Sequence, residues 1–516
     1  MTQFSKKLPI GIQTFSNLIR EGYAYVDKTP FIKQLEAAGK YYFLSRPRRF
    51  GKSLFLSTIK SAFLGERELF ASLYIQDHWD WDQSCPVLHI SFGSGVMRQV
   101  QDLEIRFSSI LKRHQEQAQL ELQEKDLRER FAELIRKLFE STGQGVVILV
   151  DEYDKPILDN IEKPETAVAI REELKNYYSV IKDCDPYIKF VFITGVSKFS
   201  KVSLFSGLNN LKDISLDKRY SALCGYTQDE LEFVFADRLQ DVDLDAVKTW
   251  YNGYNWLGKE VYNPFDILLY LDSHEFANYW FETATPTFLV KLLQQKKYYI
   301  PELQSLTAGE EIVGSFDVED FSVETLLFQT GYLTIQGFEQ IGSFRRYQLT
   351  YPNLEVKAGL TNSILNHLVH DAVAKTRNQS NIFEALKGND FDALRQSLQA
   401  FFASIPHDWY RKNQLAGYEG YYASIVYCYF TALGLDVRPE ENTSRGRIDL
   451  VIRFAGRIYV LEFKVNELAD SGQALAQIIK RGYAEKFAGQ EVYLIGAEFS
   501  CEKRNIERFE WERWKE

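Results

Sequence analysis

Four short apolar runs limit how this chain can fold. "YYFLSR" (41–46), "PVLHISF" (86–92), "GVVILVD" (145–151) and "IKFVFITG" (188–195) are strand-length and nearly unbroken by polar residues. Such strands need cover on both faces. Helical stretches between them supply the crossovers of a parallel sheet. Leu103, Phe107, Ile110 and Leu111 recur at helical spacing and predict one long charged helical stretch over about 98–140.

A chain of 516 residues exceeds a single core. Three regions are expected. Residues 1–235 carry the α/β pattern. Residues 236–375 read as helical and then winged-helix-like, with "VETLLFQTGYLTI" followed by "RRYQLTYPN". Residues 376–516 start with helices. They continue as strand "RIDLVIRF", a turn at Ala455-Gly456, strand "RIYVLEFKV", helix "SGQALAQIIKRGYAEKF" and strand "QEVYLIGAEF". The expected fold class is thus multi-domain α/β.

Composition excludes several classes. "MTQFSKKLPIGIQTFSN" holds no apolar run that could serve as a signal sequence, so none is expected, and no stretch nears the ~18 apolar residues of a membrane span. The five cysteines are dispersed without a CxxC pair, which predicts reduced thiols and a cytoplasmic protein. A net charge of −10 argues against bulk electrostatic DNA binding, although a focused basic groove is compatible with it. The histidines form no HExxH pattern, so zinc chemistry is not expected. "DHWDWDQ" (77–83) reads as a solvated loop anchored by Trp79 and Trp81. "WYNGYNW" (250–256) reads as a packed aromatic turn rather than a base-stacking platform.

The first apolar run leads into "RPRRFGKS". Gly51, Lys52 and Ser53 stand between a strand and a helical pattern, the setting of a phosphate-binding loop. There lysine reaches the β/γ-phosphates and the hydroxyl binds Mg2+. Arg46 occupies the place of the usual first glycine, with Pro47 to make the turn. Arg48 and Arg49 add charge that suits a triphosphate. The expected nucleotide-binding stretch is Arg48, Arg49, Phe50, Gly51, Lys52, Ser53 and Leu54. The third run ends in Asp151-Glu152. An acid ending a buried strand is costly without a partner, and Mg2+ shared by Ser53 and Asp151 would supply one. Glu152 would polarise the attacking water, and Thr194, ending the next run, could sense the γ-phosphate.

A second set of acids interrupts apolar strands near the C-terminus. Glu462 and Lys464 are two apart and share a strand face, and a hairpin around Gly456 brings Asp449 alongside. Paired carboxylates make an oxygen-rich site for Mg2+ or Mn2+, with Lys464 to orient water. Glu419 could add a ligand, Gln477 could orient substrate, and Arg445 and Arg447 could give a local basic patch.

"LPIGIQTFSNLIREGYAYVDKTPFI", "FLSRPRRFGKSLFLSTIKSAF", "LVDEYDKP", "ITGVSKFSKVSLFSGLNNLKDISLD" and "YNGYNW…VYNPFDILLYL" together resemble the AAA-ATPase-like family of bacterial proteins. Its members pair this ATPase with a C-terminal PD-(D/E)XK nuclease-superfamily domain, and Asp449…Glu462-x-Lys464 is similar to that superfamily's pattern. Ile448 stands where the superfamily often has proline. The resemblance treats Arg46 as the family's own variation. It implies phosphate and magnesium binding by Lys52 and Ser53, a second acidic motif at Asp151 and Glu152, and Arg219 as a γ-phosphate sensor or finger.

The expected function is an ATPase regulating a metal-dependent DNA nuclease, with action on foreign DNA expected by analogy. The alternative is a nucleotide-dependent switch or scaffold whose nuclease-like domain binds nucleic acid or protein without cutting. Expected cofactors are ATP and Mg2+, with Mn2+ an option at the nuclease-like site. Expected partners are nucleotide, DNA and, as an option, further copies of the chain, with no membrane.

Overall fold

The four apolar runs form the expected parallel sheet. In the computed structural model they are β1 (Tyr41–Ser45), β2 (Val87–Ser91), β3 (Val146–Asp151) and β4 (Ile188–Gly195). With the two-residue β5 (Lys212–Asp213) they give the order β2-β3-β4-β1-β5. The described residues are 6–199, 204, 205, 208, 210–281, 287–296, 298–317, 319, 321–369, 372–405, 419–443, 446–466 and 473–515. The chain divides into two compact units, residues 1–279 with 307–348, and residues 280–306 with 349–516.

In the first unit β4 lies between β1 and β3. The pairs Leu44↔Thr194 and Val150↔Ile193 bring the carboxyl ends of all three strands to one edge. That edge of a parallel sheet is where ligands usually bind. Helix α1 (Lys52–Phe63) follows β1 and packs against β3. The charged stretch over 98–140 is corrected: it forms two helices, α2 (Val100–Gln117) and α3 (Leu127–Thr142). The break has a tertiary cause. Asp126 caps α3 by accepting from the N–H groups of Arg128 and Glu129. Glu133 accepts from the N–H groups of Gln123 and Glu124 and holds the linker folded back. Helix α4 (Pro164–Asp183) precedes β4.

Beyond the sheet come the helices Leu244–Tyr251, Pro264–Ser273 and Val323–Thr330. Strands β6 (Leu306–Ala308), β7 (Thr334–Ile341) and β8 (Phe344–Thr350) form a three-stranded sheet. The expected aromatic turn is packed, with Tyr251, Tyr254 and Trp256 buried. Trp79 and Trp81 anchor their loop on Phe63 and Phe70, at ring separations of 5.0 and 5.2 Å.

The second unit contains helices α5 (Leu354–Leu368) and α6 (Glu419–Ala432) and a five-stranded sheet of order β13-β12-β11-β10-β9. Strands β10 (Gly446–Phe454) and β11 (Arg457–Val465) are the expected antiparallel hairpin. Gly456 at φ 77° permits its tight turn. Helix α7 (Gln473–Lys480) crosses to β12 (Glu491–Ser500), parallel to β11. Two further strands, β9 (Asp436–Thr443) and β13 (Asn505–Arg513), flank the three read from the sequence. All five cysteines are free.

Candidate nucleotide-binding and nuclease-like sites

The loop after β1 turns sharply, with Arg49 at φ 69° and Gly51 at φ 83°, into the first turn of α1. Three of its side chains, Arg46, Arg49 and Phe50, are anchors. Phe50 is buried edge-on against Tyr254 and Trp256, with centroids 4.7 and 5.3 Å away. The Arg49 guanidinium lies 3.8 Å over Phe265. Arg46 is 1 % exposed. It donates to the carbonyls of Ser45 (2.9 Å), Ser215 (2.8 Å) and Tyr220 (3.3 Å), and stacks 4.0 Å over Trp256. Burial lowers its pKa to about 10. The residue in the glycine's place therefore ties the loop to the segment around 215–220. Arg48 points to solvent, while Ser53 and Leu54 are half-buried in α1.

Lys52 is buried, and its ammonium donates to the carbonyls of Arg46 (2.9 Å) and Pro47 (2.8 Å). Burial pushes its pKa down, while the charges of Asp151, Asp154 and Glu152 oppose that shift. Asp151 is 5 % exposed, and its Oδ1 is buried with no hydrogen-bond partner. Next to it Glu152 has φ 52°, and burial together with the Asp151 charge raises its pKa. Gly93 leaves room for it: a Cβ there would lie 2.9 Å from Glu152 Oε2.

Asp154 was not singled out from the sequence. It accepts from the N–H groups of Val196 (3.0 Å) and Ser197 (2.6 Å), joining the ends of β3 and β4, and burial raises its pKa to about 6. Thr194 is buried within the sheet, its hydroxyl donating to the carbonyl of Leu44 at 2.9 Å. Arg219 is exposed and paired with Asp217 at 2.5 Å. The structure thus gathers Lys52, Asp151, Glu152 and Asp154. It gives Thr194 a bond inside the sheet and Arg219 an ion pair.

In the second unit the β10–β11 ladder ends at Leu450 paired with Leu461, and Asp449 and Glu462 are the next residues on the two strands. Phe463 donates its N–H to Asp449 Oδ2 at 2.8 Å. Glu462 is 1 % exposed; its Oε1 lies 3.5 Å from Lys464 Nζ and accepts from the amide of Gln477. Lys464 and Gln477 therefore meet at Glu462, and Asp449 is bonded to the adjoining residue, Phe463. The Glu419 side chain, Arg445 and the Arg447 side chain lie outside the described residues. Glu498 on β12 is a further buried acid beside Lys464.

Both places fit a divalent cation. Asp151 offers a buried carboxylate oxygen without a donor, which a cation would compensate. Asp449 and Glu462 offer neighbouring hard oxygens. Among the described residues no three or more His, Cys, Asp or Glu converge on one metal position. Such a cation would take the rest of its shell from water or substrate, a usual arrangement for Mg2+.

A parallel sheet with a lysine-bearing loop and an acid-tipped strand defines a P-loop ATPase-like unit. The D…ExK hairpin with its following helix and parallel strand defines a restriction-endonuclease-like one. Residues 9–205 match the family described as "Predicted AAA-ATPase", and residues 417–509 match the PD-(D/E)XK nuclease superfamily. A protein of Azotobacter chroococcum mcd 1, described as an uncharacterized protein in the vnfD 5' region, is 53 % identical over 508 residues, covering 98 % of each chain. The chain belongs to the AAA-ATPase-like family whose members carry a C-terminal PD-(D/E)XK nuclease-superfamily domain. Among the described residues no helix is long and apolar enough to cross a membrane.

Proposed function

We propose that the first unit binds and hydrolyses ATP and that nucleotide occupancy regulates a divalent-cation-dependent DNA nuclease in the second. The observation carrying this reading is Asp151: a buried carboxylate oxygen without a hydrogen bond, electrostatically coupled to a buried lysine at the mouth of a phosphate loop. Lys52 would exchange the carbonyls of Arg46 and Pro47 for phosphate oxygens. Ser53 and Asp151 would hold Mg2+. Glu152, its pKa raised by burial, would take a proton from the attacking water as the water oxygen bonds to the γ-phosphorus and the bond from that phosphorus to the β–γ bridging oxygen breaks, releasing ADP. Thr194 and Arg219 would reach nucleotide only by giving up their bonds to Leu44 and Asp217.

In the second unit Asp449 and Glu462 would hold Mg2+ or Mn2+, and Lys464 would orient the attacking water. A bound divalent cation supplies charge neutralisation at phosphate and a lower pKa for bound water. Cytoplasmic action on foreign DNA is part of this reading. In a second reading the nuclease-like unit binds nucleic acid or protein without cutting, and Glu462 keeps its bonds to Gln477 and Lys464.

Plasmid digestion with Mg2+ or Mn2+, with and without ATP, separates the two. The nuclease reading expects cutting that Glu462→Gln abolishes while ATP binding persists, and whose dependence on ATP Lys52→Ala removes. Absence of cutting under every condition supports the scaffold.

A further inference from the structure

Glu498 is 1 % exposed on β12. The parallel register pairs it with Lys464, and pairs Gly496 with Glu462. Residues two apart share a strand face, so Glu462, Lys464, Gly496 and Glu498 lie on one face. Helix α7 is pressed onto that face: a Cβ at Gly496 would lie 2.4 Å from the backbone nitrogen of Leu475. Glu498 Oε1 accepts the N–H of Ala474 in the first turn of α7 at 3.2 Å. A carboxylate there satisfies an otherwise unbonded helix N–H and complements the helix dipole. One turn later, on the same side of α7, Gln477 gives its amide to Glu462 Oε1.

We propose that Glu498 is a positioning residue of the nuclease-like site, pinning the start of α7 so that Gln477 fixes the carboxylate of Glu462. The assignment rests on the nuclease reading above. Glu498 acts through the helix, its Oε1 holding the Ala474 N–H. Bonds that orient a metal-binding carboxylate typically contribute 10- to 100-fold to metal affinity.

The test is Mn2+ titration of the full chain without nucleotide, followed as the component of binding that Asp449→Asn removes. Glu498→Ala and Gln477→Ala should each weaken that component by about 10- to 100-fold. The double variant should be no weaker than Glu498→Ala alone, because both act through one contact. Glu498→Gln still accepts the Ala474 N–H and should stay within about threefold of wild type. Glu498→Asp withdraws the acceptor by one methylene and should show an intermediate loss, which keeps the test decisive if Glu498→Ala does not fold. The assignment is overturned if Glu498→Ala or Glu498→Asp binds like wild type. It is also overturned if Glu498→Gln loses as much as Glu498→Ala, or if the two alanine losses add. A wild-type chain without such a component overturns the nuclease reading together with this assignment.

Discussion

The ammonium of Lys52 donates to the carbonyl of Arg46 at 2.9 Å. With Pro47 it satisfies a buried cation within its own loop. Phosphate oxygens would replace those carbonyls as stronger, charged acceptors. Lys52→Ala should therefore weaken ATP binding by about 10- to 100-fold, the range of a lost charge-assisted bond. Isothermal titration with a non-hydrolysable ATP analogue measures this.

Restoring the usual loop glycine should harm the protein. Arg46→Gly removes three hydrogen bonds and the stack on Trp256, leaves a cavity and adds backbone freedom. A loss of roughly 3 kcal/mol or more is expected, read as a lowered urea midpoint. Arg46→Gly at wild-type stability would show that the buried guanidinium is dispensable.

Gly93→Ala separates turnover from folding. The added Cβ meets the far end of the Glu152 side chain at 2.9 Å, so Glu152 can yield and the fold persists. Its carboxylate would then be misplaced. ATP hydrolysis should fall about tenfold or more while ATP affinity changes little. Steady-state kcat alongside a binding isotherm distinguishes these effects.

The pH dependence of stability contains two opposing contributions. Asp154 has a folded pKa of about 6 against 3.8 for the free group. It therefore favours the fold at low pH and loses that contribution as pH rises from about 4 to about 6. His89 has a folded pKa of about 4 against 6.5, because burial disfavours its cation. Its contribution is present above about pH 6.5 and is lost as pH falls towards 4. Each is on the order of 3 kcal/mol, so the two largely cancel. His89→Gln should expose stability that falls between pH 4 and 6, and Asp154→Asn stability that rises. Urea unfolding across that range measures both slopes.

The sequence showed some of these features and hid others for physical reasons. Strands β1, β3 and β4 are buried on both faces, so their apolar runs mark them plainly. Strands β9 and β13 flank their sheet with mixed residues, as in "DVRPEENT" and "NIERFEWER", and carry no such run. The break between α2 and α3 depends on Glu133 reaching back to Gln123 and Glu124, a tertiary bond that periodicity cannot register. Arg46 looks like a defect in a phosphate loop because Ser215 and Trp256, its partners, are far along the chain. Glu498 was findable: the criterion that picked out Glu462, an acid inside an apolar strand, applies equally to "YLIGAEFS".

The central claim is that divalent cations compensate the acids at both sites. Anomalous diffraction from a crystal soaked with Mn2+ and a non-hydrolysable ATP analogue tests it most directly. The account predicts manganese peaks beside Ser53 and Asp151 and between Asp449 and Glu462. Nucleotide and manganese soaked to saturation with no peak at either carboxylate set would contradict it.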